Sequence, residues 1–445
     1  MKIALITLGC PKNVVDSERI KGALESTHVN IVTAVEAEKY VDVILINTCG
    51  FIQSAKTESI ETIFEALQLK EQGRCGRVFV VGCLVNRYFN ELKQEIPEVD
   101  GFYVNRNITQ TIRALAKDLQ IKYTSVPVRT LLTPKHYAYL KIAEGCNNCC
   151  SYCAIPAIRG PLKSRAEPEI VNEARLLVEN GVRELILIAQ DITNYGKDGS
   201  DSKRIIRLIR QLVQIRLLKW LRLMYAHPAH FPDELIELMA TEAKICKYID
   251  LPLQHISDRI LKRMNRQVTR AQIEKLIQKL RDQIPGIAIR TSFIVGFPGE
   301  TEAEFEALLD FLTAVKFERV GAFTYSPEEE TPAFELKDRI EPALQQERLD
   351  EIMFRQAEIS FARNLALVGS QMEVVIDEFD SEMNQFLSRS QWDAPEIDNI
   401  IWINPSANLK IGKFYQVQIQ KAYEFDLFGE PISSVSHLRR GDKTS

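Results

Sequence analysis

The stretch "AYLKIAEGCNNCCSYC", Ala138–Cys153, runs from an apolar, strand-like segment straight into four cysteines, Cys146, Cys149, Cys150 and Cys153, within eight residues. The run can be parsed as two abutting C-x-x-C pairs or as C-x-x-x-C-x-x-C with Cys149 left out. A structural zinc site usually sets its two C-x-x-C knuckles about 12 to 20 residues apart, so that two pairs close a tetrahedron from opposite sides. Knuckles fused end to end would have to fold back at once. In the second parsing three thiolates on one loop can take three corners of a four-iron cluster, and the fourth iron is left open for a cofactor. A cysteine-rich loop without metal is a third reading, against which stands the oxidation hazard of so many unligated thiols.

Strand-like runs continue on both sides of this loop. Downstream come "ELILIAQ", "WLRLMYA", "YIDLPL", "IAIRTSFIVG" and "VGAFTYS", each flanked by a charged amphipathic helix pattern, with a closing helix over Ala343–Leu367. Six βα units exceed what a compact open sheet needs and predict a full or partial barrel. Upstream, "KIALITL", "VDVILIN", "RVFVVG" and "GFYV" alternate with helix patterns, which predicts a parallel sheet with right-handed crossovers. After residue 367 the texture changes to short runs such as "MEVVIDEF", "IIWINP" and "FYQVQIQKAYEFDLFG", the pattern of a small antiparallel β-barrel. The expected organisation is an α/β multidomain chain: a Rossmann-like N-terminal domain (1–120), a linker (121–136), a (β/α)6 partial barrel of TIM type (137–367), the small barrel (368–437) and a polar tail (438–445).

Composition fits this layout. The chain has 445 residues, too many for one ordinary core, and a formal net charge of −4, so no basic excess points to nucleic acid. The opening "MKIALITLGCPKN" lacks a small-residue cleavage site and is read as a first strand. No apolar run approaches the roughly 18 residues of a membrane span. The expected setting is a reducing cytoplasm, where clustered thiols hold metal or do chemistry more often than they form disulfides.

Three further cysteines follow the first three long strands: Cys10 after "ALITLG", Cys49 after "VILINT" and Cys83 after "VFVVG". A lone cysteine at a strand end is more often a small buried hydrophobe. Successive parallel strands, however, present their carboxyl ends on one edge of the sheet, where doubly wound folds bind ligands. Three thiols from distant sequence converge there, as a second open cluster site would need. Cys75 and Cys246 sit in no such pattern.

The loop resembles the radical S-adenosylmethionine superfamily, whose signature is C-x-x-x-C-x-aromatic-C after the first strand of a βα barrel; Cys146, Cys150, Tyr152 and Cys153 match it position by position. The resemblance implies that the open iron chelates the methionyl part of S-adenosylmethionine and that reduction yields a 5′-deoxyadenosyl radical. Over essentially the whole chain, "GCPKNVVDSE", "INTCGFI", "VVGCL", "EGCNNCCSYCAIPAIRGPLKSR", "LPLQHISDRILKRMNR" and "FIVGFPGETEAEF" are similar to the methylthiotransferase family. That resemblance implies two 4Fe–4S clusters, on Cys146, Cys150 and Cys153 and on Cys10, Cys49 and Cys83, and a terminal TRAM-like barrel. It implies two S-adenosylmethionine molecules, one donating methyl to a cluster-borne sulfur and one giving the radical. It also implies an electron donor such as flavodoxin or ferredoxin and a sulfur donor. Tyr152 would sit beside the adenine. Gln190 and Asp191 after the second barrel strand, Arg290 and Gly296 on the fifth and His255 after the fourth lie where a cofactor is contacted, although such residues also serve turns and caps.

The family divides into transferases acting on a tRNA adenosine and one acting on an aspartate of small-subunit ribosomal protein twelve. "GCPKN" (Gly9–Asn13) and "RGPLKSR" (Arg159–Arg165) resemble the ribosomal-protein type. Charge bears on the choice independently. Residues 371–430 hold eleven acidic and four basic side chains, a net of −7, and the tail residues Arg439, Arg440 and Lys443 against Asp442 bring the region to −5. That surface repels a polyanion and suits a basic protein, free or within the ribosome, although acidity also serves solubility alone. A tRNA transferase and a zinc-dependent binding module without activity are the rival readings. Glu330 stands where family members commonly have Gly, so the loop after the sixth strand is expected to be shaped differently.

Overall fold

The computed structural model describes residues 1–33, 40–123, 129–199, 201, 203–405 and 409–432. Part of the expected linker and the whole tail, with Arg439, Arg440, Asp442 and Lys443, lie outside the described residues. The chain divides into two compact units, Met1–Met353 and Phe354–Ser445.

The first unit opens with five parallel strands, β1 (Lys2–Thr7), β2 (Asn30–Val32), β3 (Val41–Thr48), β4 (Cys75–Gly82) and β5 (Gly101–Val104), in the order β2-β1-β3-β4-β5. Helices α1 (Pro11–Glu25), α2 (Gln53–Glu71), α3 (Cys83–Glu95) and α4 (Ile108–Asp118) connect them. Alternate residues of each central strand serve opposite faces. Ile3, Leu5, Val43 and Leu45 pack with α1 and α4 residues such as Ile20, Leu24 and Leu115. Ala4, Ile44, Ile46 and Val80 pack with Ile63 and Leu67 of α2 and Leu84 of α3. Burial on both faces explains why these strands read as almost unbroken apolar runs. The order is the flavodoxin-like form of the doubly wound sheet, whose switch point lies between β1 and β3. The three-residue β2 gave no strand pattern of its own in the sequence.

Six parallel strands follow in one row, β6 (Tyr137–Lys141), β9 (Glu184–Ile188), β10 (Trp220–Leu223), β11 (Ile245–Asp250), β12 (Ala288–Val295) and β13 (Arg319–Thr324). The labels β7 (Ala143–Glu144) and β8 (Lys163–Ser164) belong to a short antiparallel pair beside the cysteine loop. Among the described residues no ladder joins β6 to β13, so the barrel is partial. Between the strands lie α5 (Ile155–Arg159), α6 (Glu167–Glu179), α7 (Arg204–Val213), α8 (Asp233–Thr241), α9 (Asp258–Arg263), α10 (Arg270–Gln283) and α11 (Glu302–Val315). α12 (Pro342–Leu365) comes last. β11 begins three residues earlier than "YIDLPL" suggested and contains the buried Cys246.

The second unit holds a closed five-stranded barrel, β14 (Gln371–Asp380), β15 (Gln385–Ser390), β16 (Ile401–Ile403), β17 (Phe414–Ala422) and β18 (Leu427–Pro431). Four of its ladders are antiparallel; β16 and β18 pair parallel. Val374, Ile376, Ile401, Ile403, Val417 and Ile419 fill it. Arg389 is buried and forks onto Asp377 at 2.6 and 3.0 Å, so the exposed bases of the barrel are Lys410, Lys413 and Lys421.

Candidate active site

Two groups of thiols lie close to one another in the first unit. Cys10 precedes α1 as its N-cap, Cys49 follows β3 directly, and Cys83 is the first residue of α3, directly after β4. Because β1, β3 and β4 are neighbours, their carboxyl ends bring the three thiols to one edge beside the switch point. The turn before Cys10 leaves no room: Gly9 has φ of +85°, and a Cβ there would lie 2.7 Å from Cys49 Cβ and 2.9 Å from its Sγ. Burial pushes the Cys49 thiol up, and pushes Cys83 up to about 12 against the pull of Arg159. A metal cluster binding there would displace protons from the Cys49 and Cys83 thiols.

Cys146, Cys150 and Cys153 lie on the loop between β7 and α5. The loop is tied down through its backbone and its polar neighbours. Cys146 N donates to Gly160 O at 3.2 Å, Ser151 N to Met264 O at 3.0 Å, and Ser151 Oγ to Arg263 O at 2.7 Å. Asn148 Nδ2 donates to Asp191 Oδ2 at 2.8 Å, while Asp191 Oδ1 accepts from Thr193 N as a cap. The cation facing this loop is Arg266, whose Nη1 lies 3.6 Å from Cys150 Sγ. Burial raises Cys146 to about 11 and Cys153 to about 12. Cys149 differs: it is exposed, has φ of 49°, and among the described residues its Sγ hydrogen-bonds only to Asn147 O, at 3.4 Å.

A short helix joins the two groups. α5 starts two residues after Cys153, and Ala154 and Ile158 form one buried cluster with Cys83. Arg159, the last residue of α5, donates from Nε to Cys83 Sγ at 3.2 Å and from Nη1 to Asp16 Oδ2 at 2.8 Å and Glu144 Oε2 at 3.3 Å; its Nη2 meets Asn13 Oδ1. Lys141 bridges the same two carboxylates, contacting Asp16 and reaching Glu144 at 2.7 Å. Burial opposes ionisation of Glu144, yet Lys141 and Arg159 hold it down to about 2. Asn13 in turn donates from Nδ2 to Leu8 O and Thr48 O at 2.9 and 3.0 Å, fixing the turn that carries Cys10.

The other sequence-derived positions fall into different surroundings. Tyr152 packs against Ile260, Met264, Phe297 and Tyr325. Gln190 donates to Glu144 Oε1 at 2.7 Å, and its own Oε1 is buried without a partner among the described residues, an acceptor free for a ligand's N–H. Arg290 pairs with Asp250 at 2.9 Å. Gly296 has φ of +67°, and its absent Cβ makes room for the Gln345 side chain. His255 is buried; its Nδ1 accepts from Ser257 N at 3.0 Å, and burial lowers it to about 4. Glu330 adopts φ of 61°, the left-handed backbone in which Gly carries no penalty, so this chain accepts the strain at that loop. Cys75 lies at the opposite end of β4, bonded to Arg77 O.

Sequence reasoning missed Asn13, Asp16, Lys141, Glu144, Arg159 and Arg266 as site residues. Each is an ordinary polar residue within a helix, strand or turn. Only contacts made across the fold, such as the 143-residue separation of Asp16 and Arg159, reveal them. Among the described residues no three His, Cys, Asp or Glu side chains close around a point to hold a single metal ion. A four-iron cluster is a larger body that takes thiolates at its corners. Three thiols per group, with Arg159 on Cys83 and Arg266 beside Cys150, fit that donor set.

Sequence profiles of the radical SAM superfamily, of the uncharacterized protein family UPF0004 and of the TRAM domain match residues 140–312, 2–103 and 368–432. Among solved structures, the radical S-adenosylmethionine methyltransferase TsrM from Kitasatospora setae, with tryptophan substrate and a SAM analog bound, superposes with TM-score 0.56 at 15% identity, covering 80% of this chain and 89% of that one. At that identity the likeness is one of fold. Curated relatives named ribosomal protein uS12 methylthiotransferase RimO are much nearer. The protein from Desulforamulus reducens is 48% identical over 96% of this chain and 99% of its own, and that from Bacteroides fragilis 47% over 97% and 99%. A third, from Geobacter sulfurreducens, is 44% identical over 97% and 99%. With such identity running through sheet, partial barrel and terminal barrel alike, the chain belongs to the ribosomal protein uS12 methylthiotransferase family of radical SAM enzymes.

Proposed function

We propose that this enzyme inserts a methylthio group at the β-carbon of an aspartate residue of ribosomal protein uS12, with Cys146, Cys150 and Cys153 holding one 4Fe–4S cluster and Cys10, Cys49 and Cys83 a second. The observation that carries the reading is the near full-length identity to relatives named for this reaction, and the two thiol groups joined by α5 support it. When bound, the clusters and two molecules of S-adenosylmethionine supply the sulfur, the methyl group and the 5′-deoxyadenosyl radical that an unactivated C–H bond requires.

The chain's own residues position and insulate. Asn148, Asp191 and Ser151 fix the barrel loop so that its thiols need no reordering when they are loaded. Arg266 and Arg159 set a positive charge against each thiolate group. Gln190, with its free carbonyl oxygen, and Tyr152, on the apolar wall beside the loop, are the side chains we place against S-adenosylmethionine. Arg290 and Gly296 contribute by shaping the strand ends, Arg290 through Asp250 and Gly296 by admitting Gln345. The acidic terminal barrel, with three exposed lysines against its excess of carboxylates, suits a basic ribosomal protein and opposes tRNA. The setting is cytoplasmic, with a flavodoxin- or ferredoxin-type electron donor and a separate sulfur donor.

Mass spectrometry of uS12 and of tRNA from cells lacking the gene tests this. The expected result is loss of the methylthio mass from a single uS12 peptide with tRNA unchanged; loss from tRNA instead overturns the reading.

A further inference from the structure

Lys12 stands two residues after Cys10, in the first turn of α1, and its ammonium lies 3.2 Å from the centroid of the Tyr225 ring. Tyr225 comes two residues after β10 and holds φ of 64°; its N–H donates to Asp250 Oδ2 at 3.1 Å, and Asp250 Oδ1 accepts from Arg290. Lys12 thus reaches from the N-terminal sheet onto the carboxyl ends of the barrel strands, the face on which such barrels react.

The carboxylates around it are committed elsewhere. Asp16 is held by Lys141 and Arg159, Glu144 by Lys141, Arg159 and Gln190, and Asp250 by Arg290. Among the described residues the Lys12 ammonium has an aromatic face beneath it and no ion pair or hydrogen bond. An ammonium has three donors to satisfy, and one drawn partly out of water without an anion is costly to keep. Standing two residues after Cys10, the N-cap of the same helix, it lies beside the proposed sulfur-carrying group.

We propose that Lys12 is the specificity-determining residue that pairs with the side-chain carboxylate of the substrate. The inference rests on the aspartate reading above and adds the residue that recognises it. In aspartate the carbon to be modified is bonded directly to the carboxylate carbon. An ion pair at Lys12 therefore fixes that carbon beside Cys10, and Tyr225 restricts where the ammonium can go.

The test uses the reconstituted holoenzyme and two synthetic peptides, one spanning the modified aspartate of uS12 and a twin with Asn in its place. Binding is measured anaerobically by calorimetry, beside KM and kcat. We expect wild type to bind the Asp peptide about 30-fold more tightly than the Asn twin, the scale of losing one partner of a charged pair. Lys12→Gln should weaken binding of the Asp peptide by about the same factor while leaving the Asn twin within about 2-fold, and Lys12→Arg should recover part of the loss. Wild type binding both peptides equally overturns the inference without mutating the enzyme. So does a Lys12→Gln enzyme that binds the Asp peptide normally but forms less S-adenosylhomocysteine without peptide, which would assign Lys12 to the sulfur-carrying site. Failure of the aspartate reading is separable, since it shows as an unmodified uS12 in cells.

Discussion

Substituting Ala for Gly9 tests the two proposed cluster sites separately, because a single added carbon presses on one thiol of one group. The new Cβ would lie 2.7 Å from Cys49 Cβ, where ordinary contact begins near 3.4 Å, so Cys49 or the turn must give by about 0.7 Å. Metal–ligand distances tolerate only about 0.2 Å. The φ of +85° adds about 1 kcal/mol of backbone strain for a residue with a side chain, which lowers Tm by roughly 2–4 °C and leaves the fold intact. Anaerobic reconstitution followed by iron analysis should therefore find about four irons per chain where wild type holds about eight. Production of 5′-deoxyadenosine from S-adenosylmethionine should persist, while methylthiolation of the uS12 peptide falls at least tenfold. A Gly9→Ala enzyme with the full iron complement and wild-type turnover would refute the placement of Cys49 as a ligand, and equal loss from both sites would refute their independence.

Neighbouring cysteines should behave oppositely. Cys149→Ser, at an exposed position whose thiol touches only its own loop, should keep iron and activity, whereas Cys150→Ser should lose the barrel cluster and deoxyadenosine formation together. Arg159→Met strands Asp16 and Glu144 with Lys141 as their shared cation; breaking a buried ionic group costs about 3–5 kcal/mol, and calorimetry should show Tm falling by roughly 6–20 °C, with Arg159→Lys failing to restore the contacts to Cys83 and Asn13. Glu173 is half-buried among Arg165, Arg129 and Arg19; desolvation opposes its ionisation, and the arginines nonetheless hold it far below the usual carboxylate range. Its folded pKa is depressed, so its contribution is complete above about pH 4.5, the unfolded value, and is lost as pH falls through the folded one. Glu173→Gln should lower Tm at pH 7 and narrow the difference from wild type in acid; a Tm gap that stays constant from pH 7 to pH 3 counts against the assignment.

What the sequence disclosed and what it withheld follow from the range of the interactions. The convergence of Cys10, Cys49 and Cys83 was legible because parallel strands must expose their carboxyl ends on one edge, and the run around Cys150 because its thiols lie within one loop. The strand Asn30–Val32 is too short to show a period. The early start of β11 was hidden because Lys247 interrupts its apolar run. Arg159 was illegible for another reason: its partners Asn13, Asp16 and Glu144 are brought together by tertiary packing, and nothing in "AIRGP" distinguishes a buried arginine from a solvated one. Lys12 was visible as part of "GCPKN", but its lack of a carboxylate partner is a property of the surroundings and has no local signature.

The five residues of α5 act as a ruler. Cys153 stands two residues before them and Arg159 ends them, about 6 Å from Ile155 along a helical rise of 1.5 Å per residue, with Ile158 wedged against Cys83 on the way. One inserted residue would turn Arg159 by about 100° and carry its guanidinium off Cys83. The separation of the two thiol groups, and with it the distance between the two proposed clusters, is therefore set by a count of residues. Loops elsewhere can lengthen to admit a different substrate, but this segment is closed to insertion.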